Sequence, residues 1–254
     1  MSAVEEVAAP APEEERLGPP ALPRRAAAEA LGAFALVFAG CGAIVTEAEH
    51  PGTLGVLGIA LVFGLVVMAM VYATGHLSGA HLNPAVTIAF ALTRHLPARE
   101  AVSYVGAQVV GALAAAALLL AIWPSGPADL GTTAPSVGVG SAFAYEAILT
   151  AFLMFTIMAV ATDTRAVGAG AAIAIGGVIG LDALFGGPIT GASMNPARSL
   201  APALVSGHLH DLWIYLTAPV LGAAAGAAAY QAVRGGRPAA LVRPPDRSDL
   251  AAGE

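Results

Sequence analysis

Two short segments of this 254-residue chain carry the same uncommon motif, Gly-Ala followed after two further residues by Asn-Pro-Ala. The motif residues are Asn83, Pro84 and Ala85 in the first segment and Asn195, Pro196 and Ala197 in the second. Asn is a favoured helix N-cap and Pro suits the first helical position, so each motif predicts the start of a helix. A helix N-terminus carries partial positive charge and unpaired N–H groups, and an Asn side chain adds amide donors. The chemistry on offer is hydrogen bonding to neutral oxygen atoms.

The helices that follow these starts are predicted to be short, and the chain around them is strongly apolar. Apolar residues continue over 84–92 and 196–204, and ten residues span only ~15 Å of a ~30 Å hydrocarbon core. With 57% hydrophobic and 11% charged residues and a mean hydropathy of +0.76, the chain is predicted to be an integral membrane protein. Half-length helices at membrane depth are tolerated only inside protein or along a watery cavity, so the two motifs predict a pore.

Six longer apolar segments are each long enough to cross a membrane as a helix. They cover roughly residues 26–46, 54–74, 101–123, 141–161, 167–186 and 211–233. Glu29 in the first segment recurs as Glu146 in the fourth, which indicates two repeats of three spans, about 26–123 and 141–234. Because three is odd, the second repeat enters from the opposite side, and Asn83 should meet Asn195. We predict an all-α membrane protein with six transmembrane helices and two re-entrant half-helices in an inverted repeat.

Charge placement predicts the orientation of this multi-pass protein in a plasma or inner membrane. The chain has no Lys, and ten Arg residues fall in the tails or in loops on one side: Arg16, Arg24, Arg25, Arg94, Arg99, Arg165, Arg234, Arg237, Arg243 and Arg247. By the positive-inside rule this side is cytoplasmic, as are both termini. Residues 1–25 and 235–254 lack an apolar period and are predicted to be disordered cytoplasmic tails around a channel domain of residues 26–234. The start lacks the basic n-region of a cleavable signal.

The remaining basic residue, Arg198, directly follows the second motif on the other side of the midplane. A cation there costs about 2.5 to 3.5 kcal/mol on insertion scales, so Arg198 is predicted to line a watery passage. The alternative is an Arg that snorkels from a helix end to the membrane surface.

Two interpretations compete for Glu29 and Glu146, the carboxylates buried within spans. A proton-coupled transporter would use them as a relay. In the structural interpretation, which we favour, each accepts hydrogen bonds from irregular backbone near its half-helix. Asp182 is expected in the outer vestibule or at an interface. No metal site and no cofactor is predicted, since His81 and His76 have no Cys, Asp or Glu at ligand spacing in their loop.

The runs 75–87 and 195–199 resemble the two pore loops of the major intrinsic proteins, the aquaporins and glycerol facilitators. The resemblance covers about residues 26–234. It implies a homotetramer with one pore per subunit, a lipid bilayer as the setting, passage of water and small neutral solutes, and exclusion of protons and ions. It also implies that His81 lines the pore on the cytoplasmic side. Nothing indicates a nucleic-acid partner.

In the family, the residues of the outer constriction stand at fixed distances along the sequence from the two motifs. By the resemblance, the same distances in this chain give Phe63, Ala183, Ala192 and Arg198. We call these the filter residues. Strict water channels of the family place His where this chain has Ala183, so the resemblance implies a wider constriction. Glycerol facilitators, however, have Asp where this chain has Ser199.

Runs 38–43, 161–166 and 191–196 are most similar to the nodulin-26-like intrinsic proteins and their bacterial relatives, although that branch commonly has Trp, Ala or Gly at the position of Phe63. The resemblance implies a passive channel for water and small uncharged solutes, with glycerol and boric or arsenous acid as candidates. The alternatives are a strictly water-selective channel and an ion-coupled secondary transporter. An enzyme is not predicted, because no nucleophile or metal cluster is visible.

Overall fold

A computed structural model describes residues 20–163, 165 and 170–235 of the chain. This part of the chain folds into helices, six of them long and apolar enough to cross a membrane. The full-length helices are α1 (Leu22–Glu49), α2 (Gly55–Ser78), α4 (Ala98–Ile122), α5 (Val139–Thr162), α6 (Ala171–Thr190) and α8 (Leu212–Arg234). The half-length helices are α3 (Pro84–Leu92) and α7 (Pro196–Ser206). The predicted all-α architecture is confirmed.

Helix ends differ from the sequence-based bounds in two instructive places. Helix α1 begins at Leu22, four residues inside the segment expected to be disordered, with Pro23 in the first turn where its missing N–H has no partner to lose. Helix α6 lies four residues later than predicted and ends at Thr190, where Gly191 with a φ of 86° forms a left-handed C-cap. The tails predicted for 1–19 and 236–254 lie outside the described residues.

The two repeats pack as inverted copies with exchanged half-helices. Helix α1 packs on α4 and on α2, and in the second repeat α5 packs on α8 and on α6. Helices α2 and α6 join the repeats along the bundle. Half-helix α3 of the first repeat packs on α8 of the second, while α7 packs on α4. Each half-helix is therefore surrounded by protein, as irregular backbone at membrane depth requires.

Close helix contacts explain the many small residues. A Cβ added at Gly111 would overlap the carbonyl oxygen of Ala30 in α1, and one added at Gly222 would overlap that of Ala147 in α5. Between the repeats, a Cβ at Gly176 would come within 2.6 Å of the Gly64 carbonyl oxygen. Without a hydrophobic driving force between helices in lipid, such close backbone packing is what holds them together.

The pair Gly176 and Gly177 offers a matched test of this packing. We expect Gly176→Ala to lower the unfolding temperature in detergent, because the methyl group meets backbone and overpacking costs about 1 to 3 kcal/mol. Gly177→Ala should be neutral or stabilising, since a Cβ there has open space within 4 Å and Ala favours a helix by up to ~1 kcal/mol. Equal unfolding temperatures for both variants would contradict this account of the α2–α6 contact.

Basic residues gather at the end of the bundle where α1 begins and α8 ends, which we call the terminal face. There Arg25 pairs with Glu100 at 2.7 Å, and Arg165 pairs with Asp163 at 2.6 Å while also donating to the carbonyl of Arg234. The Arg165 guanidinium, through its hydrogen bonds, holds the pKa of Asp163 well below its usual range. The described loops thus carry their cations on one face of the bundle.

Candidate functional site

The two motifs start helices in the same way. Asn83 and Asn195 have extended backbone, with φ of −155° and −149°, and each caps the helix that follows. The Oδ1 of Asn83 accepts from the N–H of Ala85 at 2.8 Å, and the Oδ1 of Asn195 accepts from the N–H groups of Ala197 at 3.0 Å and Arg198 at 3.3 Å. Both side-chain oxygens therefore face their own helix, which leaves the amide N–H groups to face elsewhere.

The two half-helices meet end to end through these amides. The Nδ2 of Asn83 donates to the carbonyl of Met194 at 2.7 Å, and the Nδ2 of Asn195 donates to the carbonyl of Leu82 at 2.9 Å. Each NH₂ group has two donors, so one joins the opposite loop and the other remains for a further partner. The sequence predicted the meeting of the two Asn residues but not these reciprocal bonds.

The loops before the motifs, residues 79–83 and 191–195, are held in an unusual backbone conformation. We call them the pore loops. Ala80 and Leu82 in the first have φ of 47° and 53°, and Ala192 and Met194 in the second have φ of 41° and 52°. Left-handed conformations of residues with a Cβ cost of order 1 to 3 kcal/mol each and persist only where surrounding structure fixes them. A buried carboxylate binds each of the two loops.

In the first repeat this carboxylate is that of Glu29, which is fully buried. Its carboxylate accepts from the N–H groups of His81 at 2.9 Å and Leu82 at 2.7 Å. It also accepts from the hydroxyl of Ser78 at 2.7 Å and from the side-chain amide of Gln108 at 2.8 Å. One side chain thus binds four donors around one strained loop.

Glu146 does the same in the second repeat. It accepts from the N–H groups of Ser193 and Met194, both at 2.9 Å, and from the hydroxyl of Thr190 at 2.7 Å. This geometry fits the structural interpretation of the two carboxylates. A second matched pair, which the sequence analysis missed, supports the loops from behind: the hydroxyls of Tyr104 and Tyr215 donate to the carbonyls of Ser78 and Thr190.

Arg198 is 1% exposed and is held from two sides. Its Nη1 donates to the carbonyl of Gly131 at 2.7 Å, and its guanidinium carbon lies 5.0 Å from the centroid of the Phe63 ring. Gly131 belongs to the turn Pro127–Gly131 between the repeats, where its φ of 77° suits a glycine. Nothing in the spacing of the sequence indicated this contact, because the two residues lie far apart in the chain.

Two cavities meet at three of the four filter residues. A narrow cavity of about 60 Å³ runs along both pore loops, and a cavity of about 340 Å³ opens beside it towards the face opposite the termini. Phe63, Ala183 and Arg198 line both cavities, and Ala192 lines the narrow one. Since a water needs only ~10 to 15 Å³ by such a measure, the narrow cavity has room for a few water molecules.

His81 lies on the narrow cavity, on the first pore loop. Its Nδ1 shares a hydrogen bond of 3.2 Å with the hydroxyl of Thr87. Ser193 takes the matching place on the second pore loop, where its hydroxyl shares a 2.6 Å hydrogen bond with that of Ser199. The first repeat therefore presents an imidazole to the passage where the second presents a hydroxyl.

Asp182 is not a vestibule residue. It is fully buried, and neither carboxylate oxygen has a hydrogen-bond partner among the described residues. One turn later on the same face of α6, Gly186 lies against Tyr145 and Leu149 of α5, so Asp182 faces the interior of the second repeat. The sequence-based expectation was wrong because α6 continues to Thr190, which places Asp182 deeper in the bundle than predicted.

Replacing this carboxyl with an amide should be harmless or helpful. An isolated ionisable group is costly inside a membrane protein, and Asp182→Asn removes the charge while keeping the shape. We expect an unchanged or higher unfolding temperature and unchanged water permeability. Glu146→Gln is the contrasting variant, since the same chemical change there removes an acceptor that is in use. A loss of permeability in folded Asp182→Asn protein would instead make Asp182 a functional group.

The chain is similar to known proteins in sequence and in structure. The sequence model of the family described as "Major intrinsic protein" matches residues 19–230. Nodulin-26 of Glycine max is 49% identical over 207 residues, which are 82% of this chain and 76% of that protein. Aquaporin NIP1-3 of Oryza sativa subsp. japonica is 47% identical over 207 residues, which are 82% of this chain and 72% of that protein.

A solved structure is similar along nearly its whole length. The X-ray structure of the aquaglyceroporin from Plasmodium falciparum superposes with a TM-score of 0.75 and 26% sequence identity. The similarity covers 84% of this chain and 97% of that one.

Proposed function

Because this chain belongs to the major intrinsic protein family and forms a membrane channel for water and small solutes, not an enzyme, we propose that it passes neutral solutes larger than water. Glycerol is the first candidate, and boric and arsenous acid are the next. We further propose that Phe63, Ala183, Ala192 and Arg198 form the selectivity filter, and that both Asn-Pro-Ala motifs line the pore. The alternative is a strictly water-selective channel.

One observation carries the proposal of a wide filter: two of its four side chains are methyl groups. Ala183 and Ala192 take up little of the passage, while Arg198 is drawn towards Gly131 and packs against the Phe63 ring. The result is a passage with a donor group on one side and apolar surface on the others. Such a surface suits a solute with hydroxyl groups on a carbon backbone, because both parts of the solute then find partners.

Exclusion of ions follows from the ends of α3 and α7. Aquaporin-type pores are known to exclude protons and cations through an Arg and the positive ends of half-helix dipoles. In this chain two helix N-termini face each other, and each Asn side chain keeps one amide N–H for the passage. A water oxygen that accepts from both amides turns its own hydrogens away, which interrupts a proton-conducting chain.

The remaining proposals concern the setting of the channel. We propose that the terminal face is cytoplasmic, since Arg24, Arg25, Arg94, Arg99, Arg165 and Arg234 belong to it, and that the membrane is a plasma or inner membrane. We propose a homotetramer, for which the exposed Leu57, Leu61 and Leu181 of α2 and α6 offer an apolar surface. Nodulin-26 and aquaporin NIP1-3 are plant proteins, so kinship with bacterial members of their branch stays a prediction.

Stopped-flow light scattering on the purified protein in liposomes tests the solute range. Water, glycerol and boric acid are compared with protein-free vesicles, and solute flux is measured against concentration. The proposal expects fast water flux together with glycerol flux that rises linearly with the gradient. Fast water flux with glycerol flux at the level of empty vesicles would favour the water-selective alternative.

A further inference from the structure

Phe63 is the largest apolar side chain of the proposed filter, and its position depends on a residue outside the filter. Gly40 lies in α1 and faces the ring of Phe63 in α2. A Cβ added at Gly40 would overlap Cε1 of the ring and would lie 2.5 Å from Cζ and 2.6 Å from Cδ1. Such contacts are too close for any side chain, so the ring occupies the space that a residue with a Cβ would need.

A second group, Arg198, lies over the face of the same ring. The guanidinium carbon of Arg198 lies 5.0 Å from the ring centroid, a distance typical of a cation–π contact. Phe63 is 8% exposed, and what remains exposed borders the two cavities. The ring therefore contacts Arg198 and fills the space beside Gly40, so a group added at Gly40 has to displace a ring that borders both cavities.

The second repeat carries a larger residue at the position that corresponds to Gly40. The offset that pairs Glu29 with Glu146 also pairs Gly40 with Ile157, and the offset between the two motifs pairs Phe63 with Ile175. Both Ile157 and Ile175 line the narrow cavity, whereas Gly40 does not. In the first repeat a glycine lies beside a large ring, and in the second repeat the corresponding positions carry two branched side chains that both line the narrow cavity.

We propose that Gly40 is a specificity-determining residue of this channel: it sets how far the Phe63 ring is withdrawn from the passage and thereby how large a solute passes. Gly40 acts through Phe63 and is a positioning residue. The proposal rests on the proposed function in so far as Phe63 belongs to the filter. It explains how a chain with Phe63 can still keep an open constriction, because a residue without a Cβ leaves room for the ring beside α1.

Four variants in liposomes test this, with water and glycerol permeability normalised to the amount of folded channel. Gly40→Ala should lower glycerol permeability by about tenfold or more, a barrier increase of ~1.4 kcal/mol, and water permeability by less. Gly42→Ala is the matched control two residues along the same helix, where a Cβ meets Leu119 at an ordinary 3.5 Å. It should behave as wild type.

The remaining two variants are Phe63→Leu alone and Phe63→Leu combined with Gly40→Ala. They test whether the loss of glycerol permeability in Gly40→Ala depends on the Phe63 ring. Leu lacks Cε1 and Cζ, the two ring atoms nearest the added methyl group, and its Cδ atoms can turn away from it, so most of the effect of Gly40→Ala should disappear in a Phe63→Leu background. A general folding defect would lower the yield of channel but would not disappear with the ring, and double-mutant comparison isolates the coupling. The proposal is overturned if Gly40→Ala leaves glycerol permeability unchanged or raised, or if most of its loss persists in the Phe63→Leu background.

The same measurements distinguish a failure of the proposed function from a failure of the Gly40 proposal. If the wild-type channel itself passes water and no glycerol, the wide filter is wrong, and the same four variants are then compared by water permeability. Coupling between Gly40 and Phe63 in water flux would support the positioning role even so. Its absence would overturn that role too.

Discussion

Glu146→Leu is expected to abolish the folded channel. The substitution leaves the N–H groups of Ser193 and Met194 and the hydroxyl of Thr190 without their acceptor, all three inside the bundle. An unpaired buried donor costs about 1 to 3 kcal/mol. Three of them reach about 3 to 9 kcal/mol, which is comparable with the whole stability of a typical domain. The second pore loop also loses what holds Ala192 and Met194 in the left-handed conformation.

The two carboxylates should differ when each is changed to an amide. In Glu146 one oxygen serves Thr190 and Ser193 and the other serves Met194, so a glutamine can satisfy the first pair and opposes the third donor. Glu29 also accepts from the side-chain amide of Gln108, whereas among the described residues Glu146 has no such amide partner. Gln108 has a buried oxygen without a partner among the described residues, and by turning its amide it can accept from a glutamine at position 29.

We therefore expect an order of stability in which wild type exceeds Glu29→Gln, Glu29→Gln exceeds Glu146→Gln, and Glu146→Leu does not yield folded protein. Thermal unfolding and size-exclusion profiles in detergent measure this order. Glu146→Leu protein that folds as wild type would contradict the structural role. Folded Glu146→Gln protein whose flux has become insensitive to a pH gradient to which wild type responds would point to a proton relay instead.

The sequence predicted those parts of the fold that depend on local rules. The start of α3 at Pro84 and of α7 at Pro196 follows from N-cap chemistry, which involves neighbouring residues. The end of α3 at Leu92 also agrees with the prediction, while α7 continues two residues further, to Ser206. The six spans followed from apolar length alone.

What the sequence did not predict depends on contacts between distant segments. The carbonyl that holds Arg198 belongs to Gly131, and the ring that covers Arg198 is accommodated by Gly40. Neither residue stands at a fixed spacing from the motifs, and glycine has no side chain to suggest a role. Asp182 was misplaced for a related reason, since its depth depends on where α6 ends.

Ala183→His is expected to turn the proposed solute channel into a water channel. Ala183 is buried at the junction of the two cavities, beside Phe63 and Arg198, so an imidazole there has no direction to extend except into the passage. A well-packed interior does not yield to an added ring without cost. Glycerol permeability should fall to the level of protein-free vesicles, at least tenfold, or ~1.4 kcal/mol of added barrier. Water, which is smaller and bonds to an imidazole, should still pass.

A second variant separates size from polarity in this prediction. Ala183→Ser adds a hydroxyl and almost no bulk, so it should keep glycerol flux if width decides and lose it if polarity decides. Both variants are measured in liposomes at equal channel density, with water and glycerol in the same preparation. Glycerol flux that survives in Ala183→His would show that Ala183 does not border the constriction. Loss of water and glycerol flux together would mean that the imidazole blocks the passage and that the passage is narrowest at Ala183 itself. The space between Phe63, Ala192 and Arg198 would then be too small to hold the imidazole beside the Phe63 ring and still let water through.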